Sequence, residues 1–203
     1  MAVTEHPAGR READVAVSDW RHPDRFADLF DAFHSDIYRY AASRLSSVAA
    51  DDVAAETFLI AFRDRSGFAG PDAHVRSWLF GIATNLIRRH HRNEERRYRA
   101  LARSGAVSAV ADGDALDERV TARVSAGAVQ RNLAEALRAL KPGDRDVLLL
   151  VALAGLNYAE VAAALGIPPG TVGSRLNRAR TAMRAALGFD PDFTPLETTD
   201  GRP

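Results

Sequence analysis

A chain of 203 residues has room for one domain or two small ones, and its 27 basic residues balance its 27 acidic ones, which argues against a uniformly basic nucleic-acid binder. It contains no cysteine, so disulfides, thiolate zinc sites and cysteine nucleophiles are excluded. Charges interrupt every apolar run before it reaches membrane-spanning length, and the N-terminus has no signal-peptide apolar core, so a soluble cytoplasmic protein without membrane insertion is expected.

In chain order, residues 1–23 carry Pro, Gly and mixed charge without a period and read as a disordered tail. A helix is expected from Asp24, with Phe26, Leu29, Phe30, Phe33, Ile37, Tyr40 and Ala41 on its apolar face. After a loop at 46–49, a second helix capped by Asp51 turns Val53, Phe58, Ala61 and Phe62 inward and leaves Asp52 and Glu56 one turn apart outside. Gly and Pro make 66–72 a loop. A long third helix over 73–97 buries Trp78, Ile82, Ala83 and Leu86 and ends in a dense run of arginines: Arg88, Arg89, Arg92, Arg96, Arg97 and Arg99. Trp78, Asn85 and these arginines suit single-stranded nucleic acid, since aromatics stack bases, an amide reads a base edge and arginines hold the backbone. The adjacent His90 and His91 point about 100° apart on a helix and make a poor metal pair.

Residues 101–128 are rich in Ala, Gly, Ser and Asp and read as a flexible linker. Beyond it come a helix at 129–140, a turn at Lys141-Pro142-Gly143, and an apolar helix at 144–154 that forms a second core. Asn157 and Glu160 have capping-box spacing, Gly166 stops that helix, and Thr171 is placed to cap the next. This last helix has Val172, Leu176, Ala179, Met183 and Leu187 inside and Ser174, Arg175, Asn177, Arg178 and Arg180 outside, with no acid from 171 to 184. A short helix, a sharp turn and a helix with a basic polar face make a helix-turn-helix pattern, which offers polar side chains to the major groove and arginines to phosphates. Residues 189–203 read as a second disordered tail. The expected fold is all-α: two small helical domains, 24–100 and 129–188, joined by a flexible linker.

Three stretches together resemble one family. Asp51-Asp52-Val53-Ala54-Ala55-Glu56-Thr57-Phe58, Trp78-Leu79-Phe80-Gly81-Ile82-Ala83-Thr84-Asn85 and Gly170-Thr171-Val172-Gly173-Ser174-Arg175-Leu176 are similar to the polymerase-binding, promoter-melting and recognition helices of extracytoplasmic-function (ECF) sigma factors of bacterial RNA polymerase. The resemblance implies that Asp52, Val53, Glu56 and Phe58 serve the core polymerase, whose largest-subunit clamp and flap are the implied contacts. It implies that Trp78, Asn85, Arg88, Arg89 and Arg92 serve the −10 element, with the 66–72 loop completing a pocket for flipped bases. It implies that Thr171, Ser174, Arg175, Asn177 and Arg178 read the −35 element. Promoter DNA and an anti-sigma factor are the other implied partners, and no cofactor, metal or catalytic residue is implied. Ala55, Arg89 and Gly173 depart from the family pattern. Arg89 stands where many members carry Asp, which predicts the loss of a local ion pair, and Gly173 replaces a frequent basic residue. The alternative is a helix-turn-helix regulator that binds duplex DNA without polymerase.

Overall fold

The computed structural model describes residues 20–71, 74–103 and 124–188. Seven α-helices follow one another there: α1 (Phe26–Ala42), α2 (Ser47–Asp64), α3 (Val75–Arg103), α4 (Val124–Ala139), α5 (Pro142–Ala152), α6 (Tyr158–Leu165) and α7 (Pro169–Leu187). Short 3-10 turns at Pro23–Arg25 and Arg65–Gly67 flank α1 and α2. Among the described residues there is no strand, and no helix is long and apolar enough to cross a membrane.

The helix ends follow local chemistry. Ser46, not Asp51, caps α2: its side chain accepts from the Ala49 amide, so the expected 46–49 loop is the helix's first turn. The capping box at α6 is complete, with Asn157 Oδ1 accepting from the Glu160 amide and Glu160 Oε2 accepting from the Asn157 amide. Gly166 closes α6 at φ 62°, a left-handed conformation that glycine adopts without steric cost. Thr171 does not cap α7; the helix begins two residues earlier at Pro169, whose fixed φ suits the first helical position. The 101–128 segment is narrower as a connection than its composition predicts, because α3 runs on to Arg103 and α4 begins at Val124; residues 104–123 lie outside the described residues.

α1, α2 and α3 pack around Leu29, Phe33, Ile37, Tyr40, Phe58, Leu79, Phe80 and Ile87, and α4 to α7 around Leu140, Leu148, Leu150, Leu156, Val161, Leu176 and Met183. These two cores are continuous, because α3 of the first half lies against α6 of the second. Gly81 permits the close approach: a Cβ there would sit 2.7 Å from the Ala164 carbonyl oxygen. A buried polar network flanks that contact. Asp146 of α5 accepts from Arg44 and, at 2.8 Å, from Arg88 Nε, while Arg44 also donates to the Tyr40 hydroxyl, which shares a 2.7 Å hydrogen bond with Thr84. Burial pushes the Tyr40 hydroxyl up to about 12. Arg76 completes the junction by donating to the Ala154 carbonyl.

Structure also begins earlier than the 1–23 tail allows. Trp20 is fully buried, in edge and tilted contact with Phe68 and Trp78; residues 1–19 and 189–203 lie outside the described residues.

Candidate nucleic-acid interface

Trp78, Asn85 and Arg92 recur every seven residues on α3, so two full turns separate each pair and the three share one stripe. Asn85 and Arg92 are exposed on it. Trp78 is half-buried, its indole backed by Phe68 at 4.9 Å and Trp20 at 5.7 Å. Arg88 lies off the stripe and spends its guanidinium on Asp146, 2.6 Å away across the junction between the halves. Arg89 is held on the outside by Glu56 of α2 at 3.0 Å. Arg89, standing where many family members carry Asp, thus makes an ion pair of its own, across the α2–α3 packing rather than along one helix.

On α7 the first three turns project Ser174 and Asn177 into solvent. Ser174 donates to the Thr171 carbonyl one turn back, and Thr171 itself is half-buried. Arg178 makes a two-pronged pair with Asp144 of α5, at 3.1 and 2.8 Å, and these hydrogen bonds raise its pKa. Arg175 lies over the α5 N-terminus, with a guanidinium nitrogen 2.8 Å from where a Gly143 Cβ would be. The arrangement is a helix-turn-helix of α6 and α7, with Arg178 of α7 held by Asp144 in the first turn of α5. Tyr158 of α6 fills the space beside Gly173, its ring 4.0 Å from a Cβ built there.

Comparison with known proteins fits this geometry. Residues 29–97 match the model of sigma-70 region 2, and residues 130–183 match that of sigma-70 region 4. The ECF RNA polymerase sigma factor SigC of Mycobacterium tuberculosis is 34% identical over 154 residues, covering 76% of this chain and 78% of SigC. The chain belongs to the ECF sigma factor family. It is an alternative sigma factor, working with RNA polymerase in transcription initiation, and the free-standing regulator reading falls away. Two solved structures share its fold. The sigma factor RpoE of Bartonella quintana, solved with the anti-sigma factor NepR, is 22% identical with a TM-score of 0.59 over 82% of this chain and 98% of that one. CnrH of Cupriavidus metallidurans, solved with the cytosolic domain of CnrY, is 25% identical with a TM-score of 0.58 over 90% of this chain and 96% of that one.

In this sigma factor the residues expected to meet core polymerase divide by burial. Val53 and Phe58 are 5% and 4% exposed and hold α2 to the first core, so they cannot touch a partner directly. Asp52 is fully on the surface, Glu56 is shared with Arg89, and Ala55 and Leu59 lie between and beyond them. Leu59, 67% exposed, is an apolar residue that the inward-facing pattern did not single out; its place one turn beyond Ala55 on the Asp52 face was the available signal. Trp20 and Arg21, ahead of α1, were likewise missed, because an aperiodic segment gives no burial signal.

Proposed function

We propose that α2 docks core RNA polymerase through Asp52, Ala55, Glu56 and Leu59, that α3 with the 66–71 loop holds unpaired −10 bases, and that α7 reads the −35 duplex. Trp78, Asn85 and Arg92 form the single-strand stripe, while Arg88 and Arg89 join it once their acids release them. Ser174 and Asn177 face base edges, and Arg175 and Arg178 serve phosphates and bases. The observation that carries this reading is the α3 stripe: a backed aromatic, an exposed amide and an exposed arginine in register on one rigid helix. Chemistry stays with the polymerase; this chain positions DNA and catalyses nothing, in the cytoplasm where polymerase works. RpoE and CnrH were each solved with a protein partner, which supports an anti-sigma partner for this chain.

The test is a pull-down with core polymerase, beside transcription in vitro from the promoter region of the chain's own gene. Asp52→Arg with Glu56→Arg is expected to abolish both. The cost to the fold is small, since an exposed pair such as Glu56–Arg89 contributes at most about 1 kcal/mol. Circular dichroism should therefore show an unchanged helical content. A folded double variant that still binds core at wild-type strength would move the polymerase face elsewhere.

A further inference from the structure

The loop between α2 and α3 is poorly equipped to hold its own shape. Gly67, Ala69 and Gly70 have little side chain to pack, and among the described residues its internal backbone hydrogen bonds are Phe68 N–H to the Arg65 carbonyl at 3.4 Å and His74 N–H to the Pro71 carbonyl at 2.9 Å. What ties it down comes from the two residues ahead of the first helical turn. Arg21 Nη2 donates to the Gly70 carbonyl at 2.9 Å, and Arg65 Nε donates to the Arg21 carbonyl at 3.1 Å. The Arg21 guanidinium lies over the rings of Trp20, at 4.8 Å, and Phe68, at 5.3 Å. Trp20, with no exposed surface, wedges against both Phe68 and Trp78. The fit beneath the loop is close: a Cβ on Gly70 would come within 2.8 Å of the Phe68 ring tip.

We infer that Trp20 and Arg21 are positioning residues for −10 recognition, strapping the 65–71 loop to the start of α3 so that the segment before α1 sets how sharply unpaired bases are discriminated. This rests on the assignment of that loop and Trp78 to the −10 element. The physical reason is preorganisation. A pocket that separates one base from another by hydrogen bonds and shape loses discrimination when its walls move, because the correct base must then also fix the walls. Trp20 and Phe68 back the Trp78 indole from one side, which keeps it half-exposed and available to a base on the other. Arg21 fixes the loop backbone through Gly70, at the end of the loop nearest α3. Stability of the first core needs a buried aromatic at Trp20; it does not need a guanidinium on the Gly70 carbonyl, and Arg21 therefore separates positioning from folding.

The experiment uses holoenzyme assembled from core polymerase and the full chain, transcribing two template libraries built on the chain's own gene promoter. One library has the −10 element randomised and the other the −35 element. Arg21→Ala is expected to flatten the strongest −10 base preference at least fivefold while leaving the −35 profile as in wild type. Arg21→Lys, which keeps one donor for the Gly70 carbonyl, should recover part of the preference. Trp20→Phe, which keeps a ring in the wedge, should lie between wild type and Arg21→Ala. Trp20 and Trp78 are the only tryptophans in the chain, so the intrinsic fluorescence of the free chain supplies a second readout. In the free chain, a single-stranded −10 oligonucleotide should change that emission less in Arg21→Ala than in wild type. An unchanged −10 profile in a folded Arg21→Ala holoenzyme overturns the inference. So does equal flattening of both libraries, which marks general destabilisation. Wild-type holoenzyme without any −10 preference would instead sink the assignment of α3 and the loop, a different failure.

Discussion

Among single side chains, His91 makes a clear statement about pH. It sits half-buried on α3 facing Arg145 and Arg44, with His90 and Glu94 beside it, and its Nε2 finds no hydrogen-bond partner among the described residues. Burial, then the positive charge of His90 and Arg145, lowers its pKa below the usual 6.5. The folded chain therefore holds this imidazole neutral, and the unfolded chain binds the proton more readily. Stability from this group is present above about pH 6.5 and is lost as pH falls through that value toward the lower folded pKa. Thermal melts from pH 8 to 5.5 should show wild type losing stability on acidification, and His91→Gln losing less. Parallel pH profiles for the two proteins would put the titration elsewhere among the 6 histidines.

At the scale of elements, the α6 capping box is the most self-contained feature of the fold. Its two reciprocal hydrogen bonds, 2.7 and 3.0 Å, join residues only three apart, so everything needed to form them is local. Asn157→Ala should cost about 1 kcal/mol, which in a chain of this size lowers the melting midpoint by about 3 °C. Glu160→Ala added to it should cost less than it does alone, because the box is one unit; strict additivity would argue against the reciprocal pairing. That locality is also why α6, Gly166 and the apolar faces of α1, α3 and α7 could be read from residue types and spacing. Where competing local choices existed, the pattern was less decisive. Ser46 and Asp51 are both good caps, and Ser46 takes α2 because it stands one residue before the first turn while Asp51 falls in the second. Thr171 is a good cap too, yet Pro168-Pro169 starts α7 before it. The stripe of Trp78, Asn85 and Arg92 was legible because all three lie on one helix. Long-range placements were not: Arg88 on Asp146, Arg89 on Glu56, Arg178 on Asp144 and Trp20 on Trp78 join residues 33 to 58 apart. No periodicity within a single helix encodes them.

For the whole molecule, the question is how two DNA readers that touch each other can serve one promoter. The names of the −35 and −10 elements put them 25 base pairs apart, about 85 Å of duplex at 3.4 Å per pair. A compact chain of this length has a radius of gyration of only about 17 Å. In the structure α6, the rear helix of the proposed −35 reader, lies directly on α3, the proposed −10 reader, and Arg88 of the proposed −10 set is occupied by Asp146. Engaging both elements therefore requires α3 and α6 to part. The junction suits separation. Asp146 and Arg44 are almost fully buried as a pair, and burying such a pair gains little over leaving both hydrated. Gly81 is the point at which to test this. Alanine favours an α-helix over glycine by about 1 kcal/mol, so Gly81→Ala leaves α3 itself no weaker. Its methyl group would nonetheless lie 2.7 Å from the Ala164 carbonyl oxygen, an approach real structures do not tolerate, and that atom is backbone and cannot rotate aside. The expected result is a sigma factor of unchanged helical content whose radius of gyration by small-angle X-ray scattering is larger than wild type. Amide exchange should rise in α6 while α1 and α2 stay protected, and binding to a −35 duplex should not weaken. Asp146→Asn, which removes the charge that holds Arg44 and Arg88, should move the molecule the same way by a different route. If both variants keep the wild-type radius and the wild-type exchange in α6, the two halves part by some other junction than α3 on α6.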